Sequence, residues 1–180
     1  MFIIFAPTLR RLALGLVLAA GLGLGWAWAA GRVQQAGPAL PLVRVELAGK
    51  SVVAEVPATP LERYQGLGGR ASLAPGRGML FFFYKGSPQT MCMRDMNFPL
   101  DFIWLAQGRV TEVTPGVPPG GAKLTVRPSR PAELVLEVPA GWAREQGVRP
   151  GQRVSLTPLG ADFPLELRQR LHLEPSHDPR

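Results

Sequence analysis

The chain has 180 residues, and its 46% hydrophobic and 18% charged content is typical of one folded domain rather than a disordered chain. Its 21 Gly and 19 Pro indicate many turns and short elements, which excludes a mainly helical protein. The formal net charge of +7 comes from scattered basic residues without interleaved aromatics, so we expect no nucleic-acid partner.

The N-terminal segment, residues 1–31, has the features of an export signal. Arg10 and Arg11 precede an uncharged apolar stretch, residues 12–31, that is long enough to enter a bilayer. Residues 27–29 (AWA) fit the specificity of signal peptidase, so the segment is either a cleaved signal peptide or a retained N-terminal membrane anchor. Both alternatives predict an extracytoplasmic protein, which is periplasmic, secreted, or tethered to the membrane by residues 12–31.

A polar linker, residues 32–41, precedes the folded domain, which we expect over residues 42–158. The domain begins with a β-hairpin, because apolar residues alternate with polar ones from residue 42 and the alternation resumes after residue 50. Gly49 and Lys50 are predicted to form a two-residue turn with glycine first.

A short helix is predicted next. Thr59 and Glu62 have the spacing of a capping box, and Pro60 stands at the first helical position. The glycines within residues 66–69 are expected to end this helix, because glycine readily adopts the left-handed conformation.

The rest of the domain is predicted to consist mainly of short strands. They are Gly78–Tyr84, Thr90–Met93, Leu100–Ala106, Arg109–Thr114, Glu133–Val138 and Arg153–Thr157. Pro115–Gly121 is predicted as an irregular loop, Gly141–Gln146 as a helical turn, and residues 159–180 as a C-terminal tail. The pattern predicts a mainly β fold, a small antiparallel β-sandwich or jelly-roll-like barrel with one or two short helices.

Histidine is nearly absent, which limits the chemistry that the domain can perform. The two histidines, His172 and His177, lie in the predicted tail. A Ser-His-Asp or Cys-His catalytic site is therefore not expected, and neither is a zinc site, which draws on several His or Cys ligands.

A cluster of sulfur-containing residues offers an alternative metal site. Its members are Met91, Cys92, Met93 and Met96, whose soft donors suit Cu(I). On a regular strand Cys92 faces away from Met91 and Met93, so the sulfurs converge only if the strand contains a bulge. Such residues more often fill a core, and we expect no cofactor and no metal.

Five charged residues are predicted to lie near the Gly78–Tyr84 strand. They are Arg63, Arg70, Arg94, Asp95 and Asp101. They fit either a structural ion-pair network or a pocket that orients a polar ligand. Asp95 and Asp101 also fit the two-carboxylate pair of a carbohydrate-active hydrolase, which is the enzymatic alternative.

Many of these positions together resemble a known family. The resemblance rests on Arg63, Gly66, Leu67, Arg70, Gly78–Phe81, Phe83, Met93, Arg94, Pro99–Asp101, Gly108, Val110, Pro119, Leu136, Glu137, Gly141, Gly147, Val148 and Gly151. In this order, from Val43 to Leu156, the chain resembles the domain of unknown function 192 family, or uncharacterised protein family 0127. The resemblance implies a small, mostly β domain that is often exported and has no established activity.

The chain departs from this family at three positions. The family commonly has Trp, Asn and Thr where this chain has Cys92, Asp95 and Met96, so no site that needs an indole or an amide there is expected. We predict a non-catalytic binding module of the cell envelope for a small polar ligand or an envelope component. Hydrolysis by the Asp pair and Cu(I) handling are the alternatives.

Overall fold

The computed structural model describes residues 39–84 and 89–173, so the predicted leader and residues 32–38 of the linker lie outside the described residues. No helix within these two ranges has the length and apolar character that crossing a membrane requires. The described elements are β1 (Leu42–Leu47), β2 (Lys50–Glu55), α1 (Pro60–Gln65), β3 (Arg77–Phe82), β4 (Met91–Met93), β5 (Leu100–Ala106), β6 (Arg109–Val117), β7 (Gly121–Val126), β8 (Leu134–Pro139), α2 (Trp142–Glu145), β9 (Val154–Leu159) and α3 (Leu165–Arg170).

The strands form a seven-stranded sheet in the order β6-β5-β8-β3-β2-β1-β9 and a two-stranded sheet of β4 and β7. Neighbouring strands are antiparallel, except that β2 and β3 are parallel. These two are parallel because the connection through α1 returns the chain to the same end of the sheet. The predicted mainly β fold with short helices is confirmed.

The large sheet curls until its two outer strands meet at one end. The amide of Val110 donates to the carbonyl of Gln152 over 2.9 Å, and the amide of Val154 donates to the carbonyl of Gly108 over 2.8 Å. The result is a half-barrel, in which the sheet is closed at one end. Each outer strand contains a proline, Pro115 in β6 and Pro158 in β9.

Both faces of the large sheet are buried. One face forms a first core with side chains such as Val45, Leu80, Ile103 and Leu136. The opposite face forms a second core, which comprises Leu67, Met79, Phe81, Met93, Leu100, Phe102, Trp104, Val117, Val126, Ala132 and Val135. Because Met93 belongs to β4 and Val126 to β7, the small sheet covers this second face.

The first hairpin and helix α1 follow from local sequence, with one correction. The hairpin turn consists of Ala48 and Gly49, with φ of 52° and 72°, rather than of Gly49 and Lys50. Two positive φ values match the twist of the strands, and pairing of residue 47 with Lys50 makes Lys50 the first residue of β2. The capping box of α1 is confirmed, since Thr59 accepts from the Glu62 amide and Glu62 accepts from the Thr59 amide.

The prediction that Pro115–Gly121 is an irregular loop was wrong at both ends, since only residues 118–120 lie outside a strand. Strand β6 continues to Val117 and β7 begins at Gly121. The strand tolerates proline because β6 is an outer strand and because Pro115 and Gly116 together oppose the single residue Asp101 in a bulge.

The C-terminal residues up to 173 contribute to the first core. Phe163, Leu167 and Leu171 are each buried there, and α3 carries Leu167. Residues 159–173 thus form part of the packed domain, although the sequence indicated a tail from residue 159.

Candidate functional site

A cavity of ≈ 310 Å³ lies between β3, β4 and the turn that follows α1. Aromatic and sulfur-containing side chains form its walls, notably Phe81, Phe83, Tyr84, Met91, Cys92 and Met96. Arg63 and Arg94 also line the cavity, and Glu137 is its acidic residue. The cavity therefore combines apolar walls with two basic side chains and one acidic side chain.

Glu137 is the most unusual residue of this cavity. It lies on β8 directly opposite Met79 on one side and Phe102 on the other, so its side chain faces the second core. Only 4% of the residue is exposed, and burial, with no charge or hydrogen bond to offset it, raises the pKa of its carboxyl to about 8. The carboxyl is therefore mostly protonated at neutral pH.

The carboxyl oxygens of Glu137 reach the cavity. Among the described residues, every fully sealed side-chain nitrogen or oxygen has a hydrogen-bond partner. Because no residue in the described part of the chain hydrogen-bonds the Glu137 carboxyl, its oxygens are open to the cavity that the residue lines. A bound molecule or water can thus satisfy them.

Glycines allow the surrounding backbone to approach closely. A methyl group added at Gly66 would lie 3.3 Å from the Phe81 ring, and one added at Gly68 would lie 3.0 Å from the Arg94 carbonyl. Gly66 ends α1 with φ of 52°. The turn after α1 consequently packs against β3 and against the residue that follows β4, and this packing brings Arg63 and Arg94 to one cavity.

Aromatic rings hold the two arginines in place. The guanidinium carbon of Arg63 lies 4.9 Å from the Tyr84 ring centre, and its Nη1 donates to the Ala58 carbonyl over 2.6 Å. The guanidinium carbon of Arg94 lies 4.0 Å from the ring centre of Tyr64. Over residues 39–84 and 89–173, the ion pairs are Arg70–Glu55 and Arg170–Glu166, so neither cavity arginine has a carboxylate partner.

Arg70 has a separate, structural environment. Its Nη1 and Nη2 each donate to a Glu55 carboxylate oxygen over 2.7 Å, and this hydrogen bonding lowers the pKa of Glu55. Its carbonyl accepts from Asn97 over 2.9 Å. Arg70 does not line the cavity.

The two aspartates of the proposed hydrolase pair lie in different surroundings. Asp101 is fully buried, and its two oxygens accept from the amides of Gly116 (2.8 Å) and Ala143 (2.9 Å). Asp95 is exposed, with φ of 53°, and its carbonyl accepts from the Gly69 amide over 2.8 Å. Neither lines the cavity, and a substrate cannot reach the sealed carboxylate of Asp101 without opening the fold.

The sulfur-containing residues are divided between the cavity and the core. The pairing of β4 with β7 shifts register between Cys92 and Met93, which is the irregularity that convergence of the sulfurs would require. Even so, Met93 is fully buried in the second core, whereas Met91, Cys92 and Met96 line the cavity. The described ranges contain no group of three His, Cys, Asp or Glu residues that could hold a metal ion.

Arg63 and Arg94 were predicted from the sequence as site residues, but Glu137 was not. Its signal was a lone carboxylate in the apolar run of Leu134–Pro139, a strand flanked by other apolar strands. A carboxyl group at the centre of such a run is rarely buried unless it is paired, so an unpaired one is a candidate functional residue. Asp101 is likewise the lone carboxylate of an apolar strand, β5, but it is paired, because two backbone amides donate hydrogen bonds to it.

Residues 43–156, which include the whole cavity lining, match the model of a protein family described as DUF192, uncharacterized ACR. The chain belongs to the DUF192 family. No curated protein matches the sequence.

Two solved structures are similar to this DUF192 protein. One, from Sinorhizobium meliloti 1021, is described as a candidate transcription regulator; it is 32% identical, covers 64% of this chain and 92% of its own, and has a TM-score of 0.56. The other, from Novosphingobium aromaticivorans DSM 12444, is a protein of unknown function; it is 27% identical, covers 67% of this chain and 94% of its own, and has a TM-score of 0.55. Both structures support the fold of the DUF192 domain.

Proposed function

We propose that this protein is a non-catalytic binding module that takes a small organic molecule into the cavity containing Glu137. The observation that carries the proposal is the buried Glu137 carboxyl, which has no hydrogen-bond partner among residues 39–84 and 89–173. A buried polar group without a partner lowers stability by roughly 1–3 kcal/mol. In the cavity either water or a ligand can supply the missing partner, and a ligand that displaces the water must hydrogen-bond this carboxyl to avoid that loss.

The protonation state of Glu137 defines what it can recognise. With a pKa of about 8, the carboxyl is mostly neutral at pH 7 and offers one O–H donor together with acceptor oxygens. It can therefore form paired hydrogen bonds with an amide, a hydroxyl or an amine of a ligand. The apolar walls would exclude water and strengthen such bonds.

The size of the cavity limits the ligand. Its ≈ 310 Å³ lies at the lower end of the roughly 300–1,000 Å³ that ligand pockets occupy. Walls of aromatic rings and methionine adapt to flat apolar groups. A small, partly apolar compound fits this description better than an oligosaccharide or a protein segment.

Binding accounts for the geometry better than the two alternatives. The hydrolase pair needs two accessible carboxylates, whereas Asp101 is sealed and Asp95 lies on the surface. Cu(I) handling by all four sulfur-containing residues needs their sulfurs to converge, whereas Met93 packs in the core and not in the cavity that the other three line.

We also propose that the domain operates outside the cytoplasm. The support is the charge pattern of the N-terminal segment, in which Arg10 and Arg11 precede the apolar residues 12–31. A binding module in the envelope would meet small organic compounds as they enter or leave the cell.

The cavity can be tested with N-phenyl-1-naphthylamine, a neutral apolar compound that fluoresces on leaving water and carries one N–H donor. We expect saturable binding of one molecule to the full-length protein. Met96→Trp should abolish it, because the larger side chain occupies the cavity that Met96 lines.

Leu61→Trp is the matched control for this experiment. Leu61 lies on α1, is 73% exposed and does not line the cavity, so its replacement should leave binding unchanged. Absence of saturable binding to the unmodified protein, or equal binding by Met96→Trp and the unmodified protein, would contradict the proposal.

A further inference from the structure

We infer that the ligand is an amphipathic anion, with an acidic head that lies between Arg63 and Arg94 and an apolar body inside the cavity. This inference rests on the proposed function, since it names the class of compound that the same cavity takes. It adds a charge requirement that the apolar walls and Glu137 do not impose.

The first argument is the unused hydrogen-bonding capacity of the two arginines. A guanidinium has five N–H donors. Arg63 uses one of them on the Ala58 carbonyl, and within residues 39–84 and 89–173 Arg94 contacts the Tyr64 ring without forming an ion pair. Both groups are therefore free to donate to an oxyanion, for which charge-assisted bonds are roughly twice as strong as neutral ones.

The second argument is preorganisation. Arg63 lies over the rings of Phe82 and Tyr84 at 5.2 and 4.9 Å, and Arg94 lies over Tyr64 at 4.0 Å. Ring stacking orients the planar guanidinium and reduces the side-chain entropy lost when an anion binds. Arginine is the residue that best combines such stacking with recognition of carboxylates and phosphates.

The third argument is the charge of the cavity as a whole. Its charged side chains are Arg63, Arg94 and Glu137, and the Glu137 carboxyl is mostly neutral at pH 7. The cavity thus carries about two positive charges, which attract anions and disfavour cations. A purely inorganic anion would leave the aromatic and sulfur-containing walls without a partner, so the head must belong to a larger apolar compound.

A matched pair of probes separates the head from the body. 8-Anilinonaphthalene-1-sulfonate has the body of N-phenyl-1-naphthylamine with one added sulfonate. We expect the full-length protein to bind the sulfonate at least about tenfold more tightly than the neutral compound, a preference that falls as NaCl is raised.

Substitutions then locate the charge effect. Arg94→Met and Arg63→Met should each remove most of the preference for the sulfonate, measured in each variant as the ratio of its affinities for the two compounds, while the far-UV circular dichroism of each variant shows that it is folded. Arg44→Met is the control, because Arg44 is an exposed residue of β1 that does not line the cavity. It should leave the preference for the sulfonate intact.

The outcomes distinguish this inference from the function on which it rests. Equal affinities for the two compounds, or a preference that survives both Arg63→Met and Arg94→Met, would overturn the anionic head while the cavity remained a binding site. Failure of the neutral compound to bind would instead count against the proposed function itself.

Discussion

Two buried carboxyl groups of neighbouring strands have opposite environments. Asp101 accepts from two backbone amides, which compensates the burial of its charge. Glu137, on the adjacent strand β8, has only burial acting on it, and burial raises its pKa. A buried carboxyl without a partner among the described residues does not stabilise the fold, so the presence of Glu137 calls for a functional explanation.

The pH dependence of stability tests this view of Glu137. The folded protein keeps a proton up to a pKa of about 8, whereas the unfolded chain releases it near the ordinary value of 4.5. The free energy of unfolding should therefore fall as pH rises between these values, by at most about 1.4 kcal/mol per pH unit from this group. Glu137→Gln should remove this slope and be more stable than the unmodified protein at pH 8.

Urea denaturation at pH 5, 6, 7 and 8 measures the effect. Glu145→Gln serves as the control, because Glu145 is exposed on α2 and should keep the slope of the unmodified protein. If the free energy of unfolding changes equally with pH in Glu137→Gln and in the unmodified protein, burial does not raise the pKa of the Glu137 carboxyl.

At the scale of elements, Asp101 joins three of them. It belongs to β5, and its oxygens bind the bulge of β6 through Gly116 and the start of α2 through Ala143. The bulge places two residues of β6 opposite Asp101, which aims the Gly116 amide at the carboxylate. A single side chain thereby fixes the end of the sheet and the position of α2.

Asp101→Asn should consequently destabilise the domain. The asparagine side chain has one acceptor oxygen where aspartate has two, so one of the two backbone amides loses its acceptor and faces an NH2 group. We expect this to lower the free energy of unfolding by about 1–3 kcal/mol. Asp95→Asn is the matched control: Asp95 is exposed with φ of 53°, a conformation that asparagine tolerates well, so we expect a change below about 0.5 kcal/mol. Equal unfolding free energies of the two variants would contradict the role of Asp101.

Elements with strong local signals could be predicted from the sequence. Alternation in β1 and β2 and the capping box of α1 each arise from interactions among residues close in the chain. Strand β7 and the last part of β6 could not be predicted, because proline and glycine there normally indicate a loop. Only pairing with β5 and β4, which is a tertiary property, makes those residues strands.

At the scale of the whole molecule, the candidate site was only partly predictable for the same reason. Five charged residues were expected to share a pocket, but the fold places them in different surroundings. Arg70 forms an ion pair with Glu55 of β2, and Asp101 accepts a hydrogen bond from α2. Arg63 and Arg94 line the cavity. Glu137 joined them from β8, a strand whose neighbours in the sheet cannot be inferred from local sequence.

The proposed export of the whole protein predicts where it is found in the cell. A C-terminally tagged full-length chain, expressed in a Gram-negative host, should appear in the periplasmic or membrane fraction. A chain without residues 1–31 should stay in the cytoplasm. N-terminal sequencing distinguishes a cleaved signal peptide from a retained anchor, since cleavage after Ala29 gives a mature protein that begins at Ala30. Full-length protein confined to the cytoplasm would refute the proposal.

The prolines of the two outer strands affect how the protein behaves among other molecules. Pro115 in β6 and Pro158 in β9 have no amide hydrogen, so neither border of the sheet presents an unbroken row of donors to a foreign strand. The irregular spacing around Gly116 further disturbs the border of β6. Both features make these two borders poor templates for a foreign strand, and pairing with a foreign strand is the contact from which amyloid-like assembly starts.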